Sequence, residues 1–436
     1  MLRFGRIHSS LGFAATAVPV ALGLLFTVAG AASAKTTITF WHDWGVNQVI
    51  QSVVDRFNQS QSEVEVKVIP TGELSSKLMA AVAGGSAPDV VLIDRFMTCE
   101  FAANGALTPL DSLIARDKLD ADTFFPPTWQ EARWLGKQYA IPTNTDSRAL
   151  LYLRSTLEAA GIDSENPPAT WDELRTVSAK LTRRESDGRL SRVGYVPNWG
   201  NISLKEYIWQ NGGELLNESL TKVIFAEKPA VEALQWVVDF VDSYGGQPRL
   251  DEFGSRVDWA TGALGPVLKG QVALIWEGSW QLGGLRENFP NIYKNDLAAG
   301  LPPQKVRRAT LSGGHGLAIP VGSSHPEAAW KFIRYFTSVE PQVQLGVGTG
   351  FIPANRQAAL NQQLIQDPVL RVFILSMEFA RLRPPHPAYP QIDALISDAF
   401  WKAIRHEATP AAALDEAVRL SQLILDRYNK HYGIIK

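Results

Sequence analysis

Asp94 and Arg95 stand directly behind Val90-Val91-Leu92-Ile93, a run apolar enough for a central strand. A carboxylate accepts two hydroxyl hydrogens, and a neighbouring guanidinium offers a rigid fork of donors. The pair could therefore hold a polyhydroxylated molecule, or be a surface ion pair or a helix-capping aspartate. Trp41, Trp44, Trp199, Trp276 and Trp280 fall at strand ends or turns. An indole face can take the apolar face of a sugar ring, although any one tryptophan serves equally to build a core. Gly313-Gly314 before His315 would expose backbone amides to a ligand, or form a strained turn into a strand. Asp43, Asp94, Asp146 and Glu277 include pairs that could do glycosidase chemistry if two carboxylates faced each other. His42, Asp43 and His315 lack the spacing of a metal-binding motif. No GxSxG elbow, phosphate loop or dinucleotide fingerprint occurs.

These residues need elements to hold them. Thr36–Trp41 reads as a strand, 46–57 as a helix with one apolar face, Glu63–Ile69 as a strand and Leu74–Ala83 as a helix stopped by Gly84-Gly85. With Val90–Ile93 this spells β-α-β-α-β, one edge of an open, mostly parallel α/β sheet. Ligands of such sheets sit beyond the carboxyl ends of the strands, which singles out the turns His42–Gly45, Thr71–Glu73 and Asp94–Phe96. In Gly136–Leu153 two apolar extended runs flank a polar joint, Thr143–Arg148, which contains Asn144 and Asp146. A polar joint between two rigid lobes is where a cleft and a hinge belong. Beyond it, Thr170-Trp171-Asp172-Glu173 is a capping box, Gly194–Pro197 a short strand, and Ala230–Tyr244 a helix. Val272–Trp276 is a strand running into Glu277–Trp280, taken as a second crossing between lobes. Leu317–Ile319 is a strand, Glu327–Thr337 a helix, and an amphipathic helix starting at Ala411 ends the chain. Trp129, Trp134, Trp236, Trp330 and Trp401 fit helical packing.

The chain has 436 residues, 45% hydrophobic and 20% charged, with a formal net charge of −2, so nothing draws the whole molecule toward nucleic acid or anionic lipid. Residues 1–34 carry Arg3 and Arg6, no acid, an apolar run and Ala32-Ser33-Ala34. This reads as a cleaved secretory leader in preference to a membrane anchor, since Pro19 and small residues interrupt the run. Its removal takes two arginines with it and leaves −4. One cysteine, Cys99, allows no intramolecular disulfide.

The motifs, in their order over some 400 residues, resemble the extracellular solute-binding proteins of family 1, the maltose-binding-protein-like carbohydrate-capturing subunits of ABC importers. The matching pieces are Thr37–Trp41, Gly84–Ile93, Gly136–Leu153, Pro168–Leu174, Val272–Trp280, Ser312–Pro320 with Glu327–Thr337, and Gly350-Phe351-Ile352-Pro353. The resemblance implies a type II two-lobe α/β fold with three interlobe crossings and a ligand cleft between lobes. The lobes would comprise 35–143 with 278–337, and 144–277 with 338–436. It implies a periplasmic monomer without cofactor or metal that captures a sugar and delivers it to membrane permease subunits, catalysing nothing. Asp94-Arg95-Phe96 looks like the family segment whose first two residues bind sugar hydroxyls, and Asp146 stands where an acidic ligand residue is common. Gly313-Gly314-His315 occupies the usual Gly-Gly-Trp, with histidine replacing the stacking ring. Arg383 resembles an arginine near the ligand of disaccharide binders. The expected ligand set is thus Asp43, Trp44, Glu73, Asp94, Arg95, Asn144, Asp146, Trp199, Glu277, Trp280, Gly314, His315, Phe351 and Arg383. Phe40-Trp41-His42 also resembles the glycerol-phosphate branch, although the position of that branch's phosphate-binding arginine falls near Pro385. A secreted carbohydrate-active enzyme and a ligand-presenting adaptor for a membrane receptor are the rival classes.

Overall fold

The computed structural model describes residues 35–45 and 47–435, together with Ser10 and Gly12. The expected leader therefore lies outside the described residues, apart from those two positions. Two sheets organise the rest. In the first, Thr36–His42 pairs in parallel with Val64–Pro70 on one side and Val90–Asp94 on the other. His315–Ala318 runs antiparallel to Val90–Asp94, and Ile141–Pro142 closes the edge. The β-branched and aromatic residues of these strands suit a pleated, buried surface. Gln48–Ser60 covers one face with Ile50, Val53, Val54 and Phe57, which pack with Phe40, Leu92, Phe332 and Phe336. Asn47 starts that helix by accepting the amides of Val49 and Ile50.

The second sheet has three antiparallel strands, with Arg148–Leu153 between Leu274–Gly278 and Leu297–Gly300. Every residue of the central strand is buried, as expected of a strand covered on both faces. Its core contains Leu150, Leu151, Trp276, Trp171 and Val237. Trp171–Leu181 opens with the complete Thr170–Glu173 capping box. Thus the β-α-β-α-β start and the helices 171–181, 228–243, 326–336 and 410–431 form where periodicity places them.

Two expectations are corrected. Gly194–Pro197 is not a strand; the short strand is Leu190–Arg192, and Gly194 instead packs so closely on Ser178 that a Cβ would lie 2.2 Å from its carbonyl oxygen. The chain also does not leave the second sheet at Glu277–Trp280. It makes a helical excursion, Gln281–Asn288 and Pro290–Asn295, and returns as Leu297–Gly300 to the same sheet. Residues 297–300 of the stretch expected in the first lobe are therefore bonded into the other sheet, because the apolar 297–300 run completes the open edge of Arg148–Leu153.

Three stretches run side by side between the two cores of this two-lobe fold. Asn144–Thr145 pairs with Ile352–Pro353, and Asp146 bridges Gly313 on the other side. The first stretch joins Ile141, in the first core, to Ala149, in the second. The second joins Leu311 to Leu317, and the third joins Leu345 to Ile352. Cys99 is buried and donates to the Arg133 carbonyl, and burial pushes its thiol pKa up.

Candidate ligand-binding site

An arc of rings lies where the crossing stretches meet the strand ends. Trp44, in the turn after the first strand, stacks on Phe351 at 5.0 Å and 14°. It meets His315 edge-on at 4.9 Å, and its indole N–H donates to His315 Nε2 at 3.2 Å. Indole is a donor only, so Nε2 is the acceptor and the neutral ring carries its proton on Nδ1. That nitrogen lies 3.3 Å from Asn144 Oδ1, which also accepts the His315 amide at 2.7 Å. Burial lowers the His315 pKa, opposed by the charges of Asp94 and Asp43. Trp280 continues the arc, 6.2 Å from Phe351. Its ring rests against Gly278, where a Cβ would lie 1.9 Å from it, so only glycine fits. The Arg148 guanidinium sits over the Trp280 ring at 5.0 Å. Trp44, His315, Phe351 and Trp280 are all half-buried.

Charged groups underlie the arc. Asp94 ends its strand and starts a short turn by accepting the Phe96 amide at 3.0 Å. The same oxygen accepts Arg383 Nη2 at 2.8 Å, leaving Oδ2 without a partner among the described residues on a side chain that is 43% exposed. Burial alone would raise its pKa; Arg383, His315 and the Phe96 amide overcome that and bring it to about 2. Below lies Glu131, 2% exposed, accepting Arg95 Nε at 3.2 Å and Arg383 Nε at 2.7 Å. Arg95 is fully buried, and its terminal nitrogens donate to the carbonyls of Asn144, His315 and Gly313. It therefore ties two crossing stretches together.

On the second sheet's side Asp146 accepts Arg148 and the Gly313 amide. Arg148 also donates to the Leu311 carbonyl at 3.2 Å and to Asn201 Oδ1 at 3.2 Å. Glu277 is 3% exposed and has no ion pair among the described residues. It accepts the Gly278 amide at 2.9 Å and makes a long contact, 3.4 Å, with Gln281. Burial raises its pKa, opposed by the Gly278 amide, Gln281 and Arg148.

The structure thus gathers Trp44, Asp94, Arg95, Asn144, Asp146, Glu277, Trp280, Gly314, His315, Phe351 and Arg383 into one connected set. Asp43 is exposed beside Trp44. Trp199 stacks on Phe253 at 5.9 Å, and its loop reaches the set through Gly200, bridged to Trp276, and Asn201. Glu73 stands apart, exposed at φ 54° before the helix Leu74–Ala83. Of the two readings of Gly313-Gly314, exposed amides or a strained turn into a strand, the structure shows the turn, leading into His315–Ala318. Both are buried; Gly313 donates to Asp146, and Gly314, at φ +106°, lies so near that a Cβ would be 2.6 Å from the Asn144 carbonyl oxygen. Their glycines let the crossing stretches touch. Arg95, expected to face ligand, has all three guanidinium nitrogens engaged within the protein, and Asp146 accepts Arg148 and the Gly313 amide on the one oxygen Oδ1. Glu131, Arg148 and Asn201 were not among the expected ligand residues: Arg148 ends the polar joint Thr143–Arg148, Asn201 follows the turn at Trp199, and Glu131 sits in no motif.

The larger surface grooves are elsewhere. One of about 690 Å³ runs between Gln48–Arg56 and Val339–Gly348. Trp44, Asn144 and Phe351 line a void of about 10 Å³. Among the described residues no three His, Cys, Asp or Glu side chains gather as metal ligands, and no helix is long and apolar enough to cross a membrane.

Comparison with known proteins gives this arrangement a context. The sn-glycerol-3-phosphate-binding periplasmic protein UgpB of Yersinia pestis is 24% identical over 449 residues, 95% of this chain and 98% of that one. The maltotriose-binding protein of Pyrococcus abyssi is 24% identical over 357 residues, 80% of this chain and 73% of the relative. The sugar-binding protein MalE of Xanthomonas citri superposes with a TM-score of 0.77 at 22% identity, covering 92% of this chain and all of that structure. Residues 44–343, more than half of the chain, match the bacterial extracellular solute-binding proteins, and the chain belongs to that family.

Proposed function

We propose that the protein is the periplasmic substrate-binding subunit of an ABC importer, exported by a leader in residues 1–34. In this reading it captures a di- or oligosaccharide or related polyol and hands it, unchanged, to the membrane permease. The observation that carries the reading is the arc Trp44–Phe351–Trp280 beside the free oxygen of Asp94. Half-buried rings offer stacking surface, and an ionised carboxylate with a free lone pair accepts hydroxyl hydrogens. Asp43 and Glu277 would add acceptors, with Trp199 at the margin. Arg95, Asn144, Asp146 and Gly314 would act by holding the joint about which the lobes close, a hinge shifted by ligand contacts to both sides. The lobes would divide near residues 143, 312 and 350. A monomer is proposed.

Titration calorimetry against di- and trisaccharides tests this, with saturable heat expected for at least one. The Yersinia relative's name supports a second reading, a glycerol-3-phosphate ligand, extended here to glycerophosphodiesters; heat from that class alone would install it. Shortening of a labelled oligosaccharide on incubation would instead support an enzyme using two of the carboxylates.

A further inference from the structure

We propose that the site sorts ligands by charge, ranking an amine-bearing sugar above its neutral parent and a phosphorylated sugar last, with Glu277 setting the order. This deepens the sugar reading and rests on it. Three guanidiniums reach the site, and each already has its anion. Arg95 and Arg383 share Glu131, and Arg383 also holds Asp94. Arg148 holds Asp146, donates to Leu311 and Asn201, and covers one face of Trp280. A phosphate entering here would have to take a guanidinium from a buried carboxylate and leave that carboxylate unpaired.

Among the described residues, two acids of the site have no such partner. Asp43 is exposed beside Trp44, and Glu277 makes no ion pair. Three cations therefore face five carboxylates: Asp43, Asp94, Glu131, Asp146 and Glu277. Glu277 Oε2 accepts the amide of Gly278, against whose backbone the Trp280 ring rests, so its carboxylate adjoins the end of the arc. A buried carboxylate served by one backbone amide and one long amide contact has capacity for a charged donor. An ammonium group on a ring stacked near Trp280 would supply it, and the same ring would meet the indole face.

The test uses matched sets on trehalose, maltose and cellobiose: the parent, its 6-amino-6-deoxy form and its 6-phosphate, titrated calorimetrically at low salt. For a parent that binds, the amine should bind roughly tenfold or more tighter, the gain of a charge-assisted hydrogen bond, and the phosphate weaker than the parent. E277Q should shrink the spread, and D43N, at an exposed position that leaves the fold alone, should shrink it less. Thermal unfolding of each variant separates lost binding from lost fold. A phosphate that binds as well as its parent overturns the proposal, as does an unchanged spread in E277Q. Silence from every sugar set, with heat from a glycerophosphodiester, overturns the sugar reading itself, which is a different result.

Discussion

Glu131 and Glu277 are both buried carboxylates of this site, and their surroundings are opposite. Glu131 receives two guanidiniums, one from the strand end at Arg95 and one from Arg383, nearly 290 residues beyond Asp94, which the same arginine holds. Glu277 receives a neighbouring amide and a long contact. A buried charge is tolerated when paired and hydrogen-bonded, and costs stability when it is not. The first carboxylate is thus completed by the protein and belongs to the architecture. The second is left with capacity, which is the condition of a group that serves something from outside. The same contrast separates Arg95, every nitrogen of which already donates to Glu131 or to the joint, from the half-buried rings.

The largest effect should come from breaking the completed side. E131Q leaves Arg383 with Asp94 alone and buried Arg95 with carbonyl acceptors only, and losing one partner of a buried pair costs about 3–5 kcal/mol. Urea unfolding should report that loss at neutral pH, while E277Q under the same conditions should not approach it. Equal losses in the two variants would erase the distinction.

His386 extends the contrast to a base. It is buried edge-on to Trp134, its Nδ1 accepts the Ala388 amide, and its Nε2 donates to Asn429 Oδ1. Burial outweighs the Asn429 contact and lowers its pKa to about 4. The folded state then refuses a proton that the unfolded chain accepts near its ordinary value, about 6.5. Stability from this group is complete above that value and falls as pH drops toward about 4, by roughly 3 kcal/mol at most. Denaturant midpoints between pH 7 and 4.5 should show the slope, and H386Q should flatten it.

Why some of this could be read from residues and some could not follows from distance along the chain. Val90–Ile93 announces a buried strand by itself, Thr170 and Glu173 announce a cap within one turn, and Gly84-Gly85 marks a stop; each signal is local. Trp44, Asp94 and Trp280 were legible because strand-end position and residue type coincide. Glu131 was not, since it sits on a six-residue helix, Pro126–Glu131, and its importance comes from partners 36 and 252 residues away. Gly313-Gly314 stayed open between two readings for the same reason. Two glycines expose amides in isolation, and only the crossing stretch Asn144–Asp146 packed against them shows that they are there for close approach. The second crossing was misplaced because Leu297–Gly300 is short, and only its pairing with Arg148–Leu153 assigns it.

A smaller effect probes the arc itself. W44F keeps an aromatic surface against Phe351 but removes the donor to His315 Nε2, worth about 1 kcal/mol. With no N–H facing it, Nε2 should accept a proton more readily. An NMR titration should find His315 charging at higher pH in W44F than in the parent protein; an unchanged titration would mean the indole contact does not hold the tautomer.

The smallest expected change is the one that bears most directly on Glu277. Burial raises its folded-state pKa above the ordinary 4.5. Between the ordinary value and the raised one, the folded state keeps a proton that the unfolded chain has lost, so stability falls as pH rises through that window. This slope is opposite in sign to that of His386, and E277Q should abolish it while leaving the His386 slope in place. A ligand bringing a cation to Glu277 should act like the guanidiniums at Glu131: it would favour the ionised carboxylate, move the pKa down and release a proton on binding. Calorimetry in buffers of different ionisation heat measures that proton directly. Release with an amine-bearing sugar, none with its neutral parent and none in E277Q would mean that the ligand supplies to Glu277 what the fold supplies to Glu131.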